Sequence, residues 1–161
     1  MMTREMKLSS GYTIPCPGFG TFKTPDGEVC VGAVREAVAA GYAHIDTAAV
    51  YGNECSVGEG VRQSGKARGE LFITSKLWNT ERGYDTTLRA CEKSLKDLGM
   101  DYLDLYLVHW PFPNYHAPGV SVESRDPDAK PYIHEEYMKV WRAMESLHDA
   151  GLVRNIGTSN M

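Results

Sequence analysis

Four polar residues, Asp46, Lys76, His109 and Ser159, each close a short apolar run, and they lie about 30, 33 and 50 positions apart. The last interval contains a stretch rich in Pro, Asp and Ser, residues 111–134; setting it aside leaves about 26, so the underlying repeat is about one β-α unit. Helical patterns fill the intervals. Residues 27–41 place Val34, Ala37 and Val38 on one face and end at Gly41; residues 54–64 carry Val57 and Val61, with Asn53 as a cap and Gly65 beyond. Residues 84–98 space Leu88, Cys91, Leu95 and Leu98 helically and stop at Gly99. Residues 135–150 turn Met138, Trp141, Met144 and Leu147 inward and stop at Gly151. Between them, 42–45, 71–75, 103–108 and 152–156 read as strands, the third apolar enough to be buried on both faces.

Strands alternating with helices at this period imply a parallel sheet with helices outside it. Met6 to Ile14, with Ser10-Gly11 between, reads as a hairpin, and Pro17-Gly18-Phe19-Gly20 enters the first strand of the repeat. The fold class expected is α/β, of the (β/α)8 barrel type but incomplete: about four β-α units and a fifth strand, preceded by the hairpin.

Composition narrows the function classes. Seventeen Lys and Arg against 21 Asp and Glu give a formal charge of −4, without the clustered basic face of a nucleic-acid binder. The start lacks the apolar core of a signal peptide, and no apolar run approaches the ~20 residues that cross a bilayer. Cys16, Cys30, Cys55 and Cys91 are scattered without a C-x-x-C pair, which fits reduced thiols in a cytoplasmic protein. Position 23 is Lys, so Gly18-Phe19-Gly20 opens no dinucleotide fingerprint. Gly157 to Met161 is no nucleophile elbow, and His134-Glu135 is followed by Met138 rather than a second His, so no metal site is expected.

In a parallel β/α architecture the C-terminal strand ends converge on one face, where active sites are built. There the sequence puts a carboxylate (Asp46), an ammonium (Lys76), an imidazole (His109) and, five residues past the first, a phenol (Tyr51). A phenol of pKa ~10 is a poor proton donor at neutral pH. A neighbouring Lys76 is expected to lower that pKa, with Asp46 holding the ammonium charged. His109 would bond the same oxyanion or the substrate oxygen. Such a site suits protonation of a carbonyl oxygen as hydride reaches its carbon. Taken singly, each residue has a plainer reading: Asp46 a turn cap, Lys76 a solvated charge, His109 a core histidine. Jointly those readings fail, because all three fall at strand ends.

The same residues carry a family resemblance. Gly41-Tyr42-Ala43-His44-Ile45-Asp46-Thr47-Ala48, then Tyr51-Gly52-Asn53-Glu54 and Val57-Gly58, resemble the aldo-keto reductase signature. Thr74-Ser75-Lys76-Leu77-Trp78 is similar to the family's lysine segment, Asp101 to Pro111 to its histidine segment, and Gly157-Thr158-Ser159-Asn160 to its G-x-S-N segment. The resemblance implies an eight-stranded barrel that binds NADPH and reduces aldehydes and ketones, small-molecule carbonyl substrates. By position, Tyr51 would be the general acid, Lys76 and Asp46 its tuning pair, and His109 the group orienting the carbonyl. Thr21 and Asp46 would lie near the nicotinamide ribose, and Ser159 and Asn160 would hold its carboxamide. Phe22, Trp78 and Trp110 would wall the substrate pocket, with part of 111–134 over it. Phe22 stands where many members have Trp, and Ala43 replaces a common Arg.

Length is the discordant feature. A (β/α)8 barrel takes about 250 residues, so these 161 residues are expected to be the N-terminal portion of such a reductase. Open barrel edges would then favour self-association. The alternatives are a reductase-like module that binds nucleotide or a partner without turnover, and a barrel enzyme using Lys76 as a Schiff-base nucleophile.

Overall fold

A computed structural model describes residues 4–112 and 131–161. The β-α repeat is laid out in chain order. Strands β3 (Phe19–Gly20), β4 (His44–Asp46), β5 (Phe72–Leu77), β6 (Leu105–Val108) and β7 (Ile156–Thr158) form one parallel sheet, each hydrogen-bonded to its sequence neighbour. Helices α1 (Glu28–Ala39), α2 (Glu54–Gln63), α3 (Tyr84–Leu98) and α4 (His134–Asp149) connect them. A right-twisted strand feeding a right-handed helix returns beside itself in this way. Before the repeat, β1 (Arg4–Lys7) and β2 (Thr13–Cys16) make the expected hairpin. The Ser10 hydroxyl in its turn donates to Asn155 Oδ1, which anchors the hairpin beside the start of β7.

The core lies between the sheet and the helices. Ile45, Ile73, Tyr106 and Val108 meet Val34, Val57, Leu95, Leu98, Val140 and Met144 there. Close approach of the helices rests on two glycines. A Cβ on Gly58 of α2 would stand 2.1 Å from the Leu98 carbonyl oxygen of α3, and one on Gly60 would stand 2.8 Å from the Val31 carbonyl oxygen of α1. Helix α3 keeps the expected bounds and closes on Gly99, whose left-handed backbone lets its N–H reach back to the Leu95 carbonyl.

Two expectations about packing need correction. β6 is not buried on both faces: Tyr106 and Val108 are buried, whereas Leu105 and Leu107 are half-buried. Those two leucines line a cavity of about 570 Å³ with Leu8, Trp141, Ile156 and Gly157. The buried face of α4 is Tyr137, Val140, Ala143, Met144 and Leu147, while Met138 and Trp141 are only half-buried. The helix is rotated by about one position, because its inner side follows α3 and the sheet and leaves Trp141 over the β7 edge.

The N-terminal ends of β5 to β7 are bound together by Asp104, just before β6. Its carboxylate accepts from the Ile73 N–H at 2.9 Å, from Arg68 at 2.7 Å and from Arg154 at 3.1 Å. Both guanidinium groups stack on the Tyr102 ring, at 4.0 and 3.9 Å, and Asn155 donates to the Asp104 carbonyl. This cluster fixes the sheet from below, so the opposite strand ends have a rigid base. Among the described residues no helix is long and apolar enough to cross a membrane.

Candidate active site

The C-terminal ends of β4, β5 and β6 bring Asp46, Lys76 and His109 to one side of the sheet. Asp46 ends β4 level with Thr74, and Lys76 stands two residues further along β5. Beyond Asp46 the chain makes a single 3-10 turn, Ala49–Tyr51, closed by Gly52 with φ 70. That turn folds Tyr51 back over the strand ends. Lys76 Nζ then donates to Asp46 Oδ1 at 2.6 Å, to the Thr47 carbonyl at 2.9 Å and, over a long 3.5 Å, to Tyr51 Oη. The lysine side chain is 8% exposed and that of Asp46 is 30% exposed.

Asn53 holds the surrounding loops and does not act as the helix cap expected of it. It occupies the N-cap position of α2 without a capping bond. Its amide donates to the Thr21 and Thr24 carbonyls, each at 3.0 Å, and its oxygen accepts from the Thr47 hydroxyl at 3.1 Å. Fully buried, it ties the loop after β3 to the loop after β4.

His109 follows β6. Its backbone N–H donates to the Leu77 carbonyl at 3.1 Å, and its carbonyl accepts from the Asn160 amide at 2.8 Å. The imidazole meets the Tyr51 ring edge-on at 5.8 Å, meets Trp78 likewise at 5.3 Å, and lies nearly parallel to Trp110. Ser159 continues the ladder from β7 to the Val108 carbonyl, and Asn160 sits at φ 57, a left-handed conformation that Asn tolerates.

Together these elements enclose a cavity of about 450 Å³ lined by Phe22, Asp46, Val50, Tyr51, Lys76, Trp78, His109, Trp110, Ser159 and Asn160. Nine of those ten residues were singled out in the sequence. Val50 was missed, since an apolar residue one place before Tyr51 carries no chemical signal. Thr21 was singled out and does not line the cavity. It is fully buried, and both its N–H and its hydroxyl donate to the Asp46 carbonyl, at 2.9 and 3.2 Å. Most of the stretch expected over the pocket, 111–134, lies outside the described residues.

The electrostatics depart from the sequence expectation at one point. Burial, and then the Asp46 carboxylate, push the Tyr51 phenol up to about 12 rather than down. The Lys76 charge is matched by Asp46 at 2.6 Å, so the phenol meets a nearly neutral pair in a partly desolvated site. Burial also lowers the Lys76 pKa, against the opposing pull of Asp46. The result is a phenol that keeps its proton across the ordinary pH range beside a fixed ammonium. This arrangement can deliver a proton to an oxygen that is becoming strongly basic, and it can stabilise the phenolate left behind.

The Aldo/keto reductase family model matches residues 18–161. Among curated relatives, the glyoxal reductase of Bacillus subtilis (strain 168) is 45% identical over 155 residues, covering 96% of this chain and 49% of the relative. Aldo-keto reductase family 1 member A1 of Rattus norvegicus is 41% identical over 165 residues, covering 99% of this chain and 50% of the relative. Among solved structures, an aldo/keto reductase from Brucella melitensis superposes with a TM-score of 0.83 at 42% identity, over 99% of this chain and 55% of that one. The Bombyx mori aldo-keto reductase in complex with NADP gives 0.81 at 36% identity, over 100% and 52%. The chain spans about half the length of the curated relatives it matches.

Proposed function

The chain belongs to the aldo/keto reductase family, and from that premise we propose that its cavity reduces the carbonyl of an aldehyde or ketone, with NADPH as reductant and Tyr51 as general acid. The observation that carries this reading is the Lys76 ammonium held by Asp46 and the Thr47 carbonyl within 3.5 Å of the Tyr51 hydroxyl, on the wall of the cavity. That the Bombyx mori relative is an NADP complex and the Bacillus subtilis relative a glyoxal reductase supports the cofactor and substrate class.

The residues present suit the nicotinamide end of such a cofactor. Ser159 and Asn160 offer a hydroxyl and an amide at the cavity, a mixed donor and acceptor set that matches a carboxamide. Asp46, whose backbone Thr21 braces, would lie near the ribose hydroxyls. When bound, the nicotinamide would supply the hydride. This chain's own part is to orient the carbonyl oxygen between Tyr51 and His109 and to give that oxygen the Tyr51 proton. Lys76 then stabilises the phenolate until it is reprotonated. Phe22, Trp78 and Trp110 present an apolar, aromatic wall to the rest of the substrate.

The runner-up reading is a reductase-like module that binds nucleotide or a partner without turnover. One experiment separates the two. The purified chain is incubated with NADPH and a reactive aromatic aldehyde, beside Tyr51→Phe. Tyr51-dependent loss of NADPH absorbance supports the reductase; a folded chain that binds NADPH without oxidising it supports the module. The Schiff-base alternative is disfavoured by geometry, since the Lys76 amine is already engaged by Asp46, the Thr47 carbonyl and Tyr51, so borohydride is expected to trap no adduct at Lys76.

A further inference from the structure

Glu54 is the first residue of α2, with only Gly52 and Asn53 between it and Tyr51. An acidic residue there reads from the sequence as a complement to the helix dipole, a role usually filled from solvent. Here the side chain is buried instead, at 5% exposure. One carboxylate oxygen accepts from the Ser75 hydroxyl at 2.5 Å and the other from the Ser94 hydroxyl at 3.0 Å. Both serines are fully buried, Ser75 on β5 and Ser94 on α3. No ion pair joins Glu54 to a cation among the described residues, although Lys93 and Asp97 of α3 act on it from a distance. Burial pushes its pKa up, and the two hydroxyl bonds oppose that shift.

Ser75 and Lys76 are consecutive on β5, so their side chains leave opposite faces of the strand. Lys76 grips the 46–51 segment from the cavity side through Asp46, the Thr47 carbonyl and Tyr51. Ser75 grips the same connection from the helix side through Glu54. A buried carboxylate without a cation is an expensive way to fill space, and an apolar side chain of similar size would pack at lower cost. The feature makes physical sense as a clamp. We propose that Glu54 is a positioning residue for the Tyr51–Lys76 pair, fixing the turn that carries the phenol against the strand that carries the ammonium. This proposal rests on the reductase reading of the site.

The test uses Glu54→Leu and Glu54→Gln in the full chain, with turnover, thermal midpoint and a crystal structure of each. In Glu54→Leu, kcat is expected to fall about 10- to 100-fold, as about 1 Å of misplacement does, with KM within about twofold. The Tyr51 Oη to Lys76 Nζ distance should widen by about 1 Å while the thermal midpoint holds or rises, because a buried charge has been removed. Glu54→Gln keeps an acceptor for one serine and a donor for the other, so it should restore kcat to within about threefold of the parent.

An unchanged kcat and spacing in Glu54→Leu would overturn the proposal. So would a loss of kcat accounted for by a lowered midpoint, which is what a merely structural role gives, or a Gln variant as slow as Leu. If Glu54→Leu does not fold, Ser75→Ala carries the question: a fall in kcat of about threefold or more is expected, and no fall overturns the clamp. If the parent chain shows no turnover, the reductase reading fails for these 161 residues by themselves, and the Tyr51–Lys76 spacing in Glu54→Leu still decides the clamp.

Discussion

At the N-terminal ends of β5 to β7, Asp104 meets two arginines; at the C-terminal ends of β4 and β5, Asp46 meets one lysine. Both are carboxylate–cation clusters that share β5, and they differ in what their bonds hold. Asp104, 6% exposed, takes a backbone N–H and both guanidinium groups; both groups stack on the Tyr102 ring, and Arg68 also donates to the Leu71 and Tyr102 carbonyls. Such a cluster can do little except hold the sheet together. Asp46 is 30% exposed and faces a cavity, while Lys76 directs one long contact at a phenol that burial keeps protonated. One end is committed to holding backbone and ring together, and the other is left able to react. The Asp104 cluster ties the starts of β5, β6 and β7 together, and so holds in register the strands that carry Lys76 and His109.

Breaking each cluster in turn should separate chemistry from stability. Lys76→Met carries the largest expected effect, a loss of turnover of about 10²- to 10⁴-fold. Its thermal midpoint should stay within a few degrees of the parent, because Asp46 reaches water once its partner is gone; a melting curve beside a kinetic assay checks both. Asp104→Ala inverts the pattern. It strands two arginines and the Ile73 N–H, and a loss of about 3–5 kcal/mol in urea unfolding is expected, with kcat unchanged in the molecules that remain folded. Arg154→Ala should act in the same direction and more weakly, about 1 kcal/mol, since that side chain is 40% exposed and its pairing is screened.

The smallest effect sharpens the electrostatic side of the comparison. The Tyr51 phenol has its folded-state pKa raised to about 12 from an ordinary 10. Between those values the folded chain keeps a proton that the unfolded chain has lost, so stability falls as pH rises from 10 toward 12. Tyr51→Phe should flatten its share of that slope. Urea unfolding of both proteins at pH 9 and pH 11 measures it, and an equally steep fall in the variant would contradict the assignment.

Much of this was legible in the sequence, for identifiable reasons. The β-α rhythm showed because apolar runs end in polar residues at strand tips and because Gly41, Gly65, Gly99 and Gly151 follow the helices. Helix α3 was readable to the residue, having both a regular apolar stripe and a glycine stop. The cavity residues were readable because strand ends converge. What was hidden depends on three-dimensional surroundings. The half-burial of Leu105 and Leu107 is set by what covers the sheet's second face, which an apolar run cannot encode. The rotation of α4 arose because Trp141, apolar in pattern, lies at the edge rather than beneath the helix. Asn53 looked like a cap, since a cap and a loop staple use the same side chain. The direction of the Tyr51 shift turned first on burial of the phenol and then on the nearby Asp46 carboxylate, neither of which shows in a sequence. Glu54 was quoted within a motif and given no role, because an acid at a helix start is ordinary until its burial is known.

The division between the two ends is tested most directly by measuring kcat for NADPH-dependent aldehyde reduction and the thermal midpoint on the same preparations of Tyr51→Phe and Arg68→Ala. Tyr51→Phe is expected to lose turnover by about 10²-fold or more at an unchanged midpoint, and Arg68→Ala to melt lower while its folded fraction turns over at the parent rate. A fallen midpoint that explains the loss in Tyr51→Phe, or a lowered kcat in fully folded Arg68→Ala, would contradict that division.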